Sequence, residues 1–370
     1  MTGQRVIALL GRRDEPTDAV EDYCRYLGEA LGANNFQLEI RRVPWNEHGW
    51  AASLEALRLQ AQAWRGVWVL VQYTALAWSA RGFPWRFLRV LRALRNAGAR
   101  LAVVFHDAEP FGGARVIDRF RRRFQLRVMH RSMALAEHAV FTVAPEHLSW
   151  LGRMEMQKDW SLIPVGANLP SHSIPQQHEK IHSPPAVAVF SITGGAAGDR
   201  ETRDVVAALR QASLKLGPLR FLAFGRHVEL REPVLREALK DVTATVDIVG
   251  VVDGHTLLQK FADADVLLFV RGTISSRRGS AISGIACGLP VIALQGSETA
   301  SPITNAGVFL LPENLDEQVL QSQLGEALVR ILSDNELRAQ LVQRSCAAYA
   351  EFFAWPAIAR RYCQFLGKPD

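Results

Sequence analysis

The stretch from Arg271 to Pro312, RGTISSRRGSAISGIACGLPVIALQGSETASPITNAGVFLLP, holds the residue types in this chain best suited to binding an anion. An apolar run, Val266–Val270, enters a loop of serine, arginine and glycine, and a run of small residues follows that reads as a short helix. Gly288-Leu289-Pro290 ends it, glycine suiting the position after a helix and proline preventing continuation. The first N–H groups of such a helix, near Gly279 and Ser280, lack intrahelical partners and sit at the positive end of its dipole. Arg277 and Arg278 add charge beside them, and Gly279 lets a ligand approach the backbone closely, so these residues in this order point to a diphosphate cradle. A capped surface helix with two solvated arginines is the alternative. Elsewhere, Phe105-His106-Asp107 closes an apolar strand, where an imidazole can donate a proton or hydrogen bond near neutral pH. A histidine that merely caps the next turn is its other reading.

Elements of an α/β protein must position these groups. A chain of 370 residues exceeds what one hydrophobic core usually organises, so two domains are expected. In the first half, strands at Arg5–Leu10, Leu38–Val43, Val67–Val71, Leu101–Phe105 and Val140–Val143 alternate with helices. These run over Thr17–Leu31, Ala52–Trp64, Pro84–Asn96 and Arg115–Glu137. Thr17 or Asp18 caps the first helix, with Glu21 in a capping-box position. The stretch Pro164–Pro185 carries five prolines (Pro164, Pro170, Pro175, Pro184, Pro185) and no apolar period, and reads as a linker. A second series follows, with strands at Val187–Ser191, Leu219–Phe224, Asp247–Val249, Val266–Val270, Val291–Leu294 and Val308–Leu310. Its helices lie near Thr202–Leu214, Thr256–Ala262, Ser280–Cys287 and Leu315–Leu332. Strand–helix alternation of this kind makes parallel sheets covered on both faces, and such sheets bind ligands beyond the carboxyl ends of their strands.

Composition narrows the function classes. With 48% hydrophobic and 22% charged residues the chain has ample material for two cores. Four scattered cysteines (Cys24, Cys287, Cys346, Cys363) without a CxxC pair suit a reducing compartment. The apolar run Val6–Leu10 is too short for a signal-peptide core, and no 18-residue apolar stretch occurs. A cytoplasmic protein is expected, with the inner face of the cytoplasmic membrane as a further location. The formal charge of +6 favours anionic partners. Seven arginines (Arg115, Arg119, Arg121, Arg122, Arg123, Arg127, Arg131) interleave with Ile117, Phe120, Phe124, Leu126 and Val128. Residues 84–96 mix Trp85 and Phe87 with Arg86, Arg89, Arg92 and Arg95. Basic amphipathic helices at 84–96 and 115–131 fit peripheral contact with an anionic membrane, and equally fit surface helices with solvated arginines. Asp263-Ala264-Asp265 spells a D-x-D but ends a helix entering a buried strand, and is read as structural. No HExxH, nucleophile elbow or Walker lysine loop occurs, no metal or other cofactor is expected, and no nucleic-acid motif accompanies the charge.

Ser283-Gly284-Ile285-Ala286-Cys287-Gly288-Leu289-Pro290-Val291-Ile292 resembles the "E-A-M-A-C-G-L-P-V-I" stretch of retaining GT-B glycosyltransferases of the family 4 type. In the expected order, Ile163–Asn168 resembles "I-P-N-G-V-D" and Asp247–Val252 resembles "V-x-F-L-G-x-V". Leu257–Val270 resembles "L-x-x-x-Y-x-x-A-D-V-F-V", and Leu332–Trp355 resembles the closing helices. The likeness covers most of residues 100–365 and implies two doubly wound Rossmann-like α/β domains facing a central cleft. An acceptor-binding domain would span 1–165, completed by the C-terminal helix at about 350–370; 166–185 would be linker and 186–349 the donor-binding domain. It also implies that His106 faces the reacting centre, that Gly11-Arg12-Arg13-Asp14 is an acceptor-side loop, and that Val252-Asp253 lies near the nucleotide base. Thr193-Gly194-Gly195 and Gly225-Arg226-His227 would line the phosphates, with Arg200 the nearest substitute for a family arginine absent from the first turn. The family's two donor-site glutamates fall on Ser275 and Ser283, which can hydrogen-bond but supply no carboxylate.

The resemblance therefore implies a transferase moving sugar from a nucleotide-diphosphate sugar to a glycan or lipid-linked acceptor, with retention and without a metal. A non-catalytic nucleotide- or glycan-binding subunit is the alternative that the two serines leave open. A sugar-nucleotide 2-epimerase shares the architecture but needs further carboxylates.

Overall fold

The computed structural model describes residues 3–113, 115–152, 157–170 and 181–367; the middle of the expected linker, residues 171–180, lies outside them. The chain forms two compact units, Met1–Pro164 with Trp355–Asp370, and Val165–Ala354.

The first unit runs β1 (Gln4–Leu10), α1 (Ala19–Gly32), β2 (Phe36–Arg42), α2 (Trp45–Ala61), β3 (Trp68–Tyr73), α3 (Phe87–Asn96), β4 (Arg100–Phe105), α4 (Val116–Leu135), β5 (His138–Phe141) and β6 (Trp160–Leu162). All pairings are parallel, in the order β2-β1-β3-β4-β5-β6. Every side chain of β3 is buried, as a sheet covered on both faces requires. Asp18, rather than Thr17, caps α1, its carboxylate accepting from the N–H groups of Val20 (3.1 Å) and Glu21 (3.2 Å). The Glu21 carboxylate accepts from Arg42 (3.0 Å). The helix expected from Ala52 is preceded by a helical turn from Trp45, the two pieces joined across a kink at Gly49 (φ 74°). A helix from the far end of the chain, Trp355–Leu366, closes this unit: Tyr362 and Tyr23 share a hydrogen bond (2.9 Å) and Trp355 packs edge-on against Tyr23. The chain reverses its direction of travel across the sheet between β1 and β3, so the loops after these two strands flank the topological switch point.

The second unit runs β7 (Ala186–Phe190), α5 (Gly195–Leu216), β8 (Leu219–Phe224), α6 (Glu232–Ala238), β9 (Ala244–Val249), α7 (Gly254–Ala262), β10 (Val266–Thr273), α8 (Gly279–Ala286), β11 (Val291–Gln295), β12 (Val308–Pro312), α9 (Glu317–Ser333) and α10 (Asn335–Ala348). The parallel order is β12-β11-β10-β7-β8-β9, which puts the switch point between β7 and β10. Asp265, the second acid of the D-x-D, is buried and fixes the entry to β7, accepting from the backbone N–H of Ala186 (2.6 Å) and His182 (3.0 Å). α8 packs so tightly on β10 that a methyl at Gly284 would press on Leu267. No helix among the described residues is long and apolar enough to cross a membrane.

Candidate functional site

In the second unit the β7/β10 switch point gathers charge from four segments. β10 bulges between Phe269 and Thr273, with Gly272 at φ 71°, and the bulge carries Arg271. Its Nε is buried and has no hydrogen-bond partner among the described residues. Burial lowers the Arg271 pKa, Glu201 opposing and Arg226 reinforcing the shift. Arg278 stands at the start of α8, which no side chain caps, and its Nε donates to the Thr273 carbonyl (3.2 Å). Burial, with repulsion from Arg277, brings it down to about 10 despite the attraction of Glu298. The space around Gly279 is open and Ser280 is half-buried, leaving the first turn of α8 approachable.

Arg277 engages an acid instead. Its Nε and Nη2 donate to the two oxygens of Glu298 (2.7 and 2.9 Å), a bidentate pair. Ser275, wholly buried, donates to the same carboxylate (3.2 Å). Burial pushes the Glu298 carboxyl up, but Arg277, Arg278 and Ser275 more than reverse this and hold it below the usual range. Ser283, the other position where the resemblance expects an acid, is buried and donates back to Gly279 O (2.9 Å) along its own helix.

Around these, Thr193 donates its N–H to Glu201 (2.7 Å), and α5 starts after Gly194 without a side-chain cap. Arg226 follows β8, its N–H donating to the Ser191 hydroxyl (3.1 Å). Arg200 is exposed in the first turns of α5. Val252 is half-buried. Asp253 caps α7, accepting from His255 N (2.9 Å), Thr256 N (3.0 Å) and the Thr256 hydroxyl (2.8 Å), bonds among which those from Thr256 chiefly lower its pKa. Arg271 thus feels Arg226 and Glu201, and Arg278 feels Arg277, Glu298, Arg271 and Glu201 at the start of α8, while Ser283 and Asp253 spend their polar atoms on helices.

In the first unit a hollow of about 250 Å³ opens at the β1/β3 switch point, lined by Gly11, Arg12, Arg13, Asp14, Gln72, Thr74, Ala77 and Asp107. Gly11 is required there, because a methyl would collide with the Ala77 carbonyl that accepts from Arg12 N (2.9 Å). Arg42 braces the rim, donating to Gly11 O (2.9 Å) and Asp18 (3.1 Å). Asp107 accepts from Ala75 N (2.7 Å). His106 pairs through Nε2 with Gln72 Oε1 (2.8 Å), while Gln72 Nε2 donates to Leu70 O (3.0 Å). That network assigns the imidazole proton to Nε2 and leaves Nδ1 as the acceptor. Desolvation lowers His106 to about 4, only partly offset by Asp18, so the ring is neutral at physiological pH.

Local sequence showed Arg277, Arg278, Gly279, His106 and the Gly11–Asp14 loop, but not Glu298, Arg271, Glu201 or Gln72. Gln72 and Arg271 lie near the carboxyl ends of β3 and β10 beside the two switch points, whereas Glu298 follows β11 and Glu201 lies within α5, where no local signal marks them.

Solved structures resemble this chain over nearly its whole length. HepE from Anabaena, in complex with UDP and glucose, has a TM-score of 0.65 at 14% identity, covering 98% of this chain and 99% of that one. Sucrose-phosphate synthase from Thermosynechococcus elongatus has 0.63 at 18%, covering 98% of each. A glycosyltransferase from Rickettsia africae has 0.64 at 13%, covering 99% and 98%. No protein-family model and no curated protein matches the chain. The likeness establishes the fold, that of the GT-B glycosyltransferases, with two six-stranded parallel sheets flanked by helices.

Proposed function

We propose that this chain is a glycosyltransferase that moves a sugar from a nucleotide-diphosphate sugar to a glycan or lipid-linked acceptor, with retention and without a metal. The carrying observation is the charge at the β7/β10 switch point. Arg271 and Arg278, their pKa values both drawn down chiefly by burial and each within the other's electrostatic reach beside the start of α8, offer positive charge to the negative charges of an esterified diphosphate. Preorganised cations and helix N–H groups of this kind neutralise a leaving diphosphate as its charge develops. They perform the neutralisation for which other transferases use a metal. UDP in the HepE structure supports a nucleotide as the ligand. His106, neutral and with Nδ1 as acceptor, suits a sugar hydroxyl better than a phosphate.

A second reading, a nucleotide-binding subunit without turnover, is favoured by Ser283, whose hydroxyl is committed to Gly279 O where the resemblance expects a carboxylate. One experiment separates the two. At about 100 times its Kd a ligand adds about 2.7 kcal/mol to the folded state, a rise of several degrees in Tm. One of the UDP, GDP, ADP or dTDP sugars is expected to produce that shift and to be slowly hydrolysed, with hydrolysis lost and the shift kept in His106→Ala. A shift without turnover across the panel identifies the binding subunit, and no shift with any nucleotide overturns the donor site.

A further inference from the structure

We propose that the first half of α4 docks the protein on an anionic lipid bilayer, and that the acceptor is accordingly lipid-linked; the second clause rests on the transferase reading above. Val116 is 70% exposed, Phe120 61%, Phe111 50% and Ile117 49%. At helical spacing Val116 and Phe120 share one face with Ile117 at its edge, while Asp118, Gln125 and Met129 are buried on the other. An ordinary surface helix turns its apolar residues inward, as α3 does with Phe87, Val90, Leu91 and Leu94. Here apolar and basic residues both face outward. Arg115, Arg119 and Arg123 are exposed alongside the apolar face. The only acid between 115 and 131 is Asp118, which is already committed to the Arg115 N–H (3.2 Å) and to Arg121. Arg121 stacks over Phe83 and Phe111 and donates to Arg81 O (3.1 Å), holding the preceding loop against the helix.

A wedge of Phe, Val and Ile flanked by unneutralised arginines complements an anionic bilayer, where the apolar side chains enter the acyl boundary and the guanidinium groups meet headgroup phosphates. Its position gives it a use. α4 follows β4 in a parallel sheet, so its N-terminus lies at the carboxyl edge of that sheet, the edge that carries the hollow of Gly11, Thr74 and Asp107. Docking through this end brings that hollow to the membrane surface, where a hydroxyl borne on a lipid is presented.

The test is co-sedimentation of the full chain with phosphatidylcholine vesicles and with equimolar phosphatidylcholine–phosphatidylglycerol vesicles. The protein is expected to pellet only with the anionic vesicles and to release at high salt. Arg119→Gln should weaken partitioning about five-fold, and the combined Val116→Ser, Ile117→Ser, Phe120→Ser protein should stay in the supernatant with its Tm and nucleotide-induced shift unchanged. Wild-type protein that ignores anionic vesicles overturns the proposal, as does equal binding by the triple variant. So does a concentration-dependent dimer, abolished by the triple variant, that shows the face is covered by a second copy. Vesicle binding without any nucleotide-induced shift leaves docking intact and sinks only the transferase reading.

Discussion

Replacing Glu298 by Gln preserves the shape of the side chain but removes the charge that Arg277 grips in a bidentate pair. Breaking one side of such a largely buried pair costs about 3 kcal/mol, and Arg277 is left to swing into the anion site. The pH dependence has a definite sign. Because the folded-state pKa of Glu298 lies below the ordinary 4.5, its stabilisation is full above that value and is lost as pH falls through the depressed one. Thermal melts are expected to show a lower Tm for Glu298→Gln at neutral pH and a shallower loss of Tm in acid than wild type; parallel curves would remove Glu298 from its holding role. The sequence yields half of this arrangement. Arg277, Arg278 and Gly279 can be read because their chemistry is local, a helix start and its flanking charges. Glu298 cannot, because its partners lie 21 and 23 residues earlier and only the register of β10 and β11 brings the loops together. Arg271 can be placed just past the apolar run Val266–Val270, but its burial depends on the bulge between Phe269 and Thr273, with Gly272 at φ 71°, which no local pattern displays.

At the scale of elements, the strand–helix alternation was legible because buried parallel strands are short β-branched runs and the helices between them carry a clear apolar stripe. The exceptions are short. β6 has three half-buried residues, Trp160–Leu162, and α6 is a seven-residue helix with one buried side chain, Leu235. Neither contains enough residues to display a period. The close approach of the loops after β1 and β3 is equally invisible in sequence, since Gly11 looks like any turn glycine until Ala77 is placed against it. Gly11→Ala is therefore expected to force the two loops apart, break the Arg12 N–H bond to Ala77 O and lower stability by about 1–3 kcal/mol. Chemical denaturation measures the loss. A variant as stable as wild type would show that the loops part without penalty, and the hollow would then not be a fixed feature of the unit.

For the whole molecule, the division of labour follows from which unit owns which residues. The nucleotide candidates (Thr193, Arg226, Arg271, Arg278) lie within Val165–Ala354, whereas the docking wedge and His106 lie within Met1–Pro164. Each unit has its own sheet, core cluster and switch point, so each ligand has a local stabilisation to contribute. Hydrogen exchange with the matching nucleotide sugar at about 100 times its Kd should slow local opening by up to about a hundredfold in residues 191–195 and 273–281. It should leave residues 115–123 unchanged. Anionic vesicles should protect 115–123 and leave 273–281 as they were. If the nucleotide instead protects the turn after β1 and nothing in the second unit, the donor belongs to the Gly11–Asp14 hollow, and the arginines at β10 and α8 must answer to some other anion.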